Sequence, residues 1–207
     1  MRRNGLAFLV SCMVVVAASP AAADNDADHQ KASAAFRAAR VDIVAGNCAA
    51  AISKLQESLS YEPSVGAHLS IADCYEQVDL VAAWRELQEA ADLATSRGDE
   101  RAAVARDRAL GLEPRLSMLR FVYAPAPADP SGLEVRVDGN VVRPYLLRRG
   151  TLATTPGAHD IEVSLAHKKT WRGHVAARSA GTSVEVDVAL EDEAPPAAAA
   201  AAAEQAP

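Results

Sequence analysis

Between residues 30 and 112 the apolar positions recur at spacings of three and four. Ile52, Leu55 and Leu59 fall on one helical face, and Trp84, Leu87 and Ala91 fall on another. The pairs Gly46-Asn47 and Gly98-Asp99 break the run, and Asp99 is well placed to cap the segment behind it. The spacing predicts five helices, over 30–45, 49–60, 65–78, 81–96 and 99–112. Past Leu116 the period becomes two. Leu133, Val135 and Val137 alternate with Glu134 and Arg136; Ile161, Val163 and Leu165 repeat the pattern, as do Val184, Val186, Val188 and Leu190. Val137-Asp138-Gly139-Asn140 and Thr155-Pro156-Gly157-Ala158 are turn signals. With 119–123 and 170–177 these runs predict a small antiparallel β-sandwich of five or six strands. A segment with three prolines, 124–131, joins its first two strands. The expected fold class is α+β in two domains, helical over 24–116 and β over 117–191.

The helical half repeats itself. Ala39 and Ala72 match at an offset of 33, Gly46 and Asp79 at the same offset, and Leu55 and Leu87 at 32. Helix–turn–helix units with a period near 34 resemble tetratricopeptide repeats. Ala39 stands at the small position of the first helix, Gly46 at the turn, Ala51 at the small position of the second helix and Pro63 at the exit. Ala72 and Tyr75 fill the small and tyrosine positions of the second repeat. Asp42 departs from the pattern where a tyrosine would stand, and the second repeat is shortened in its turn. The β half resembles PEGA-type bacterial surface domains through Leu133-Glu134-Val135-Arg136-Val137-Asp138-Gly139 and Thr155-Pro156-Gly157-Ala158-His159-Asp160-Ile161-Glu162-Val163. The founding proline–glutamate–glycine–alanine motif is missing, so the likeness is to a PEGA-like domain. Together the chain resembles secreted bacterial proteins that join a short tetratricopeptide unit to a PEGA-like sandwich, over 33–190. That resemblance implies an architecture and is nearly silent on activity.

The first residues set the expected compartment. Arg2 and Arg3 precede an apolar run over 6–18 and the small residues Ala21-Ala22-Ala23. This is the pattern of a secretory signal peptide, 1–23, cleaved after Ala23. Lipidation at Cys12, within Leu9-Val10-Ser11-Cys12, is the alternative. Cleavage leaves 19 basic and 27 acidic residues, a formal charge of -8. An acidic chain of this kind argues against nucleic acid as a partner. Elsewhere no run approaches the roughly 20 apolar residues of a membrane helix. The Ala/Pro-rich tail, 192–207, reads as disordered. Half of the residues are apolar but only 4% aromatic, which favours helices packed through small side chains.

Chemistry-bearing residues are few. An exported mature chain keeps Cys48 and Cys74, and the compartment is oxidising. In repeat geometry Cys48 opens the second helix and Cys74 lies toward the end of the third, so antiparallel packing brings them together. A disulfide closing that 26-residue separation would contribute about 3.5 kcal/mol on chain-entropy grounds. His29, His68, His159, His167 and His174 share no metal-ligand spacing, and no phosphate loop or nucleophile elbow is present. His159 follows a turn and precedes a strand, which gives it a solvated or edge position. The inward positions of the repeats are Phe36, Arg40, Ile43, Leu69, Asp73, Glu76 and Gln77, a shallow groove for a protein or peptide. Residues 118–191 carry 9 basic and 8 acidic side chains, with the bases gathered at Arg143, Arg148 and Arg149 and at Lys168, Lys169 and Arg172. These features predict a non-enzymatic, cofactor-free interaction or scaffold module of the bacterial envelope, periplasmic or secreted. One alternative is an envelope-polymer binder that meets anionic glycan or lipid headgroups through the sandwich. The other is a thiol-redox protein using Cys74.

Overall fold

A computed structural model describes residues 20–147 and 150–193. The expected signal peptide up to residue 19, Cys12, Arg148, Arg149 and the tail from residue 194 lie outside the described residues. Five helices come first: α1 (Pro20–Val44), α2 (Cys48–Tyr61), α3 (Val65–Tyr75), α4 (Leu80–Ser96) and α5 (Arg101–Leu112). Each matches a predicted segment, although α1 begins ten residues earlier than the spacing indicated. Side-chain caps fix three of the starts. Asn47, Ser64 and Asp79 accept from the N–H groups of Ala50, Ala67 and Ala82, at 3.4, 3.3 and 2.9 Å. At α5 the N-cap is Glu100, which makes no side-chain cap bond, and Asp99 before it accepts from Arg101 N–H at 2.9 Å.

Alanine decides how these helices pack. Ala39, Ala51, Ala67, Ala72, Ala83, Ala90, Ala94 and Ala105 are all fully buried, so neighbouring backbones approach closely with little side-chain entropy lost. Leu55 and Ile71 fill one small core with Ala39 and Ala67, where α1, α2 and α3 meet. Ser58 ties α2 to α1 by donating to the Ala32 carbonyl at 2.8 Å in a buried bond. Consecutive helices pack against one another through short connections, so their directions alternate.

A 3-10 turn (Glu113–Arg115) leads into the strands β1 (Ser117–Ala124), β2 (Glu134–Val137) and β3 (Asn140–Val141). A short helix α6 (Pro144–Leu147) follows, then β4 (Thr151–Thr154), β5 (Gly157–Ser164), β6 (Trp171–Ala177) and β7 (Ser183–Ala189). The strands form two small sheets, ordered β4-β1-β7 and β3-β2-β5-β6. The four-stranded sheet is antiparallel throughout. The three-stranded sheet is not: β1 pairs antiparallel with β4 but parallel with β7, Leu119 opposite Val184 and Phe121 opposite Val186. This corrects the expectation of a wholly antiparallel arrangement. Period-two alternation is the same for either direction of pairing, so the pattern could not reveal that the first and last strands lie side by side.

One apolar cluster takes Leu119, Phe121, Leu152, Val186 and Val188 from the first sheet and Val135, Ile161 and Val163 from the second. It continues without a break into Trp84 and Leu87 of α4 and Leu112 of α5. Arg143 pairs with Glu89 of α4 at 3.1 Å across the same seam, and on its helical side Trp84 Nε1–H donates to Glu113 at 3.4 Å.

Candidate functional site

Helices α1, α3 and α5 run in the same direction and lie side by side. Gly66, near the start of α3, faces both neighbours, and a Cβ there would sit in ordinary contact with each, 3.6 Å from the Phe36 ring of α1 and 3.7 Å from the Arg101 guanidinium of α5. At the other end of α3, Arg108 of α5 donates to Asp73 at 2.6 Å and to Glu76 at 2.5 Å. Burial alone would lower the Arg108 pKa, but the Glu76 and Asp73 carboxylates outweigh it and hold the guanidinium above its usual value.

The seven expected groove positions therefore divide. Phe36 and Ile43 are half-buried against the Leu55–Ile71 core, and Leu69 packs on two of the clusters. Asp73 and Glu76 are held by Arg108, which sequence reasoning did not single out. Arg40 and Gln77 are exposed. The repeat offset carried the missed signal, because Arg108 lies 35 residues after Asp73 and 32 after Glu76. Exposed apolar side chains stand near three helix ends: Val44 closes α1, Val78 lies in the turn after α3, and Leu110 is in the last turn of α5. Val44 is 87% exposed, Val78 79% and Leu110 59%. Val104, one turn before Arg108 on the same face of α5, is also exposed.

Cys48, at the first position of α2, and Cys74, one residue from the end of α3, stand in disulfide contact with Cα atoms 5.3 Å apart. Cys74 is buried. Paired cysteines fit an oxidising compartment. No helix among the described residues is long and apolar enough to cross a membrane.

The bases expected to gather on the β half are met by acids. Lys168 pairs with Asp192 at 2.6 Å, Lys169 with Glu191 at 3.0 Å, Arg172 with Glu162 at 2.9 Å, and Arg143 with Glu89. The four described members of the predicted patch thus carry their own counter-ions.

His159 occupies neither a solvated nor an edge position. It is buried on β5, on the same face as Ile161 and Val163. Its Nδ1 lies 2.7 Å from Asp138 Oδ2 and its Nε2 2.8 Å from the Thr155 carbonyl oxygen. Asp138 and Gly139 both have positive φ in the tight β2–β3 turn, as an Asp-Gly hairpin of this kind requires. Thr154 Oγ is 3.1 Å from Nε2, which gives the composition of a hydroxyl–imidazole–carboxylate relay. The hydroxyl does not have that nitrogen to itself, because Nε2 also lies 2.8 Å from the Thr155 carbonyl oxygen. These residues line a cleft of about 630 Å³ between the N-terminal turns of α4 and the sheets, with Asp79, Arg85 and Arg143 on its other wall.

No family model matches the chain, and no curated protein or solved structure does.

Proposed function

We propose that the protein is a non-enzymatic, exported interaction module of the bacterial envelope. In this reading α1 to α5 form a short tetratricopeptide-like unit that binds a protein or peptide, and the two sheets form a PEGA-like sandwich that braces it. One observation carries the proposal: apolar side chains are exposed at the end of α1, in the turn after α3 and in the last turn of α5, at Val44, Val78 and Leu110. Exposed apolar side chains beside polar residues, here Arg40 near Val44 and Gln77 next to Val78, are a feature of interaction surfaces.

Two other readings have less support. The envelope-polymer reading needs a field of uncompensated positive charge, and the described bases are paired with carboxylates. The thiol-redox reading needs an accessible thiolate, and Cys74 is buried and bonded.

The test is affinity capture from envelope extract. Wild type is compared with a Val44→Asp/Val78→Asp/Leu110→Asp variant and with a Lys168→Glu/Lys169→Glu/Arg172→Glu variant. Loss of the partner in the first and retention in the second is the expected result. The reverse outcome supports the polymer-binding reading instead.

A further inference from the structure

The edge strands of the two sheets end in different ways on the two sides of the β half. On one side the start of β6 and the end of β7 are tied together. Lys168 bridges to Asp192, Lys169 N–H donates to the Glu191 carbonyl at 2.9 Å, and Glu193 N–H donates to the His167 carbonyl at 3.0 Å. On the other side β3 and β4 have one strand partner each, β2 and β1. Both line the 630 Å³ cleft against α4, β3 through Asn140 and Val141 and β4 through Leu152, Ala153 and Thr154.

The register fixes which backbone groups these two edges leave open. In an antiparallel pair, opposed residues alternate between pairs that exchange backbone hydrogen bonds and pairs that do not. Phe121 N–H donates to the opposed Gly150 carbonyl at 3.3 Å, so Leu119–Leu152 and Ser117–Thr154 are the bonded pairs of β1 and β4. Ala153, opposite Met118, therefore turns its N–H and carbonyl away from β1. Val142 N–H likewise donates to the opposed Val135 carbonyl at 2.8 Å, which turns the backbone of Val141 away from β2. Neither residue makes a further hydrogen bond among the described residues. Val141 is 50% exposed, whereas Ala153 is only 2% exposed, so water does little to satisfy its backbone. Edge strands are commonly guarded against another chain by a lysine or a proline, and β3 (Asn-Val) and β4 (Thr-Leu-Ala-Thr) carry neither.

We propose that this cleft is a strand-addition site, where an extended peptide segment of a partner protein lies along β3 and β4 and bonds to the backbone of Val141 and Ala153. Main-chain bonds hold a peptide of this kind, and its alternate side chains select it. Buried Val142, Leu146 and Leu152 offer apolar surface to one set of side chains. The charged lining favours an acidic residue in the other set. Asp79 gives an oxygen to the α4 cap at 2.9 Å, Asp138 lies 2.7 Å from His159, and Arg143 pairs with Glu89. Arg85 is exposed and makes no ion pair among the described residues, so its guanidinium is open to a carboxylate. The site is separate from Val44 and Leu110 at the helix ends, and it does not require that they bind anything.

The experiment selects binders for the mature chain from a display library of short linear peptides, then studies a selected peptide by NMR and by titration. The expected peptide alternates apolar residues with an acidic one, and its backbone contacts the Val141 and Ala153 amides. Val141→Pro removes a donor that no ladder bond uses, so the fold should survive. Affinity should then fall roughly three- to tenfold, the effect of one hydrogen bond. Arg85→Glu should weaken binding by an amount that shrinks with added salt. Val44→Asp/Leu110→Asp should leave binding unchanged, and N-methylation of the peptide backbone should abolish it. A peptide that leaves both amides unmoved, full-strength binding to Val141→Pro, or a library without a cleft binder overturns the proposal. The same amide contacts arising in protein alone, and growing with its concentration, would assign the edges to a second copy and overturn it too. If Val141→Pro does not fold, the N-methylated peptide decides, and undiminished binding there overturns it.

Discussion

Arg108 of α5 donates to Asp73 of α3 at 2.6 Å, and the same guanidinium nitrogen reaches Glu76 at 2.5 Å. This contact fixes the ends of α3 and α5 side by side. It neutralises two carboxylates, one turn apart, that would otherwise repel each other. Removing it with Arg108→Ala should cost about 1 kcal/mol of unfolding free energy, since the pair is partly exposed to solvent. Asp73→Asn/Glu76→Gln in that background should restore part of the loss by relieving the repulsion. Urea unfolding of the four proteins in a double-mutant cycle measures the coupling, which should shrink at high salt.

The Cys48–Cys74 pair links the start of α2 to the end of α3. Protein purified from the periplasm should show no free thiol when denatured, and a peptide map should contain the 48–74 linkage. Reduction, or Cys48→Ala/Cys74→Ala, should lower stability by about 3.5 kcal/mol, following from the loop that the bond closes. Two free thiols in oxidised protein would contradict this.

Trp84 is almost completely buried, and its cluster runs from α4 and α5 into both sheets. Trp84→Ala should therefore cost about 3–5 kcal/mol. It should also destabilise helices and strands together. The expected signature is one unfolding transition, coincident by far-UV circular dichroism and by the fluorescence of the remaining Trp171, shifted as a unit in the variant. Separate transitions, with only the helical one moved, would show that the seam does not couple the two halves.

Asp99 precedes the Glu100 N-cap of α5 and holds Arg101 through both carboxylate oxygens. The Arg101 hydrogen bonds, side chain first and backbone second, pull its pKa from 3.8 to about 2. A depressed carboxylate contributes stability above its unfolded pKa and loses it as pH falls through the folded value. The Asp99–Arg101 contact should thus be intact at pH 4 and fail between about 4 and 2. A carboxyl carbon titration reads the midpoint directly. In Asp99→Asn the acid-induced fraying of α5 over that interval should vanish, because the acceptor remains and the charge does not.

Much of the fold was visible in the sequence because it depends on local periodicity. All five helices follow from spacings of three and four, and β2, β5 and β7 from alternation. β4 escaped because its four residues, Thr-Leu-Ala-Thr, are too few to establish a period. α6 escaped for the same reason. Partners distant in sequence were harder. Nothing local in Arg108 announces Asp73, and only the repeat offset connects them. His159 was legible and misread. Positions 159, 161 and 163 alternate together, so the pattern that buries Ile161 and Val163 buries the histidine too. The charge clusters are legible along the chain, but their partners are not. Counting bases along the chain does not show that Lys168 and Lys169 meet Asp192 and Glu191 across the fold.

Photo-crosslinking in the producing cell is the most direct test of whether the apolar side chains near the ends of α1, α3 and α5 form the binding surface. A photoreactive residue is placed at Val78, and in a second protein at Arg172 on the outer face of the four-stranded sheet. Surface replacements of this kind usually change stability by no more than about 0.5 kcal/mol, so both proteins should fold. The expected result is a discrete protein adduct at Val78 that is lost on adding Val44→Asp/Leu110→Asp, and none at Arg172. An adduct at Arg172 alone, with Val78 unreacted, would contradict the assignment of binding to the helices.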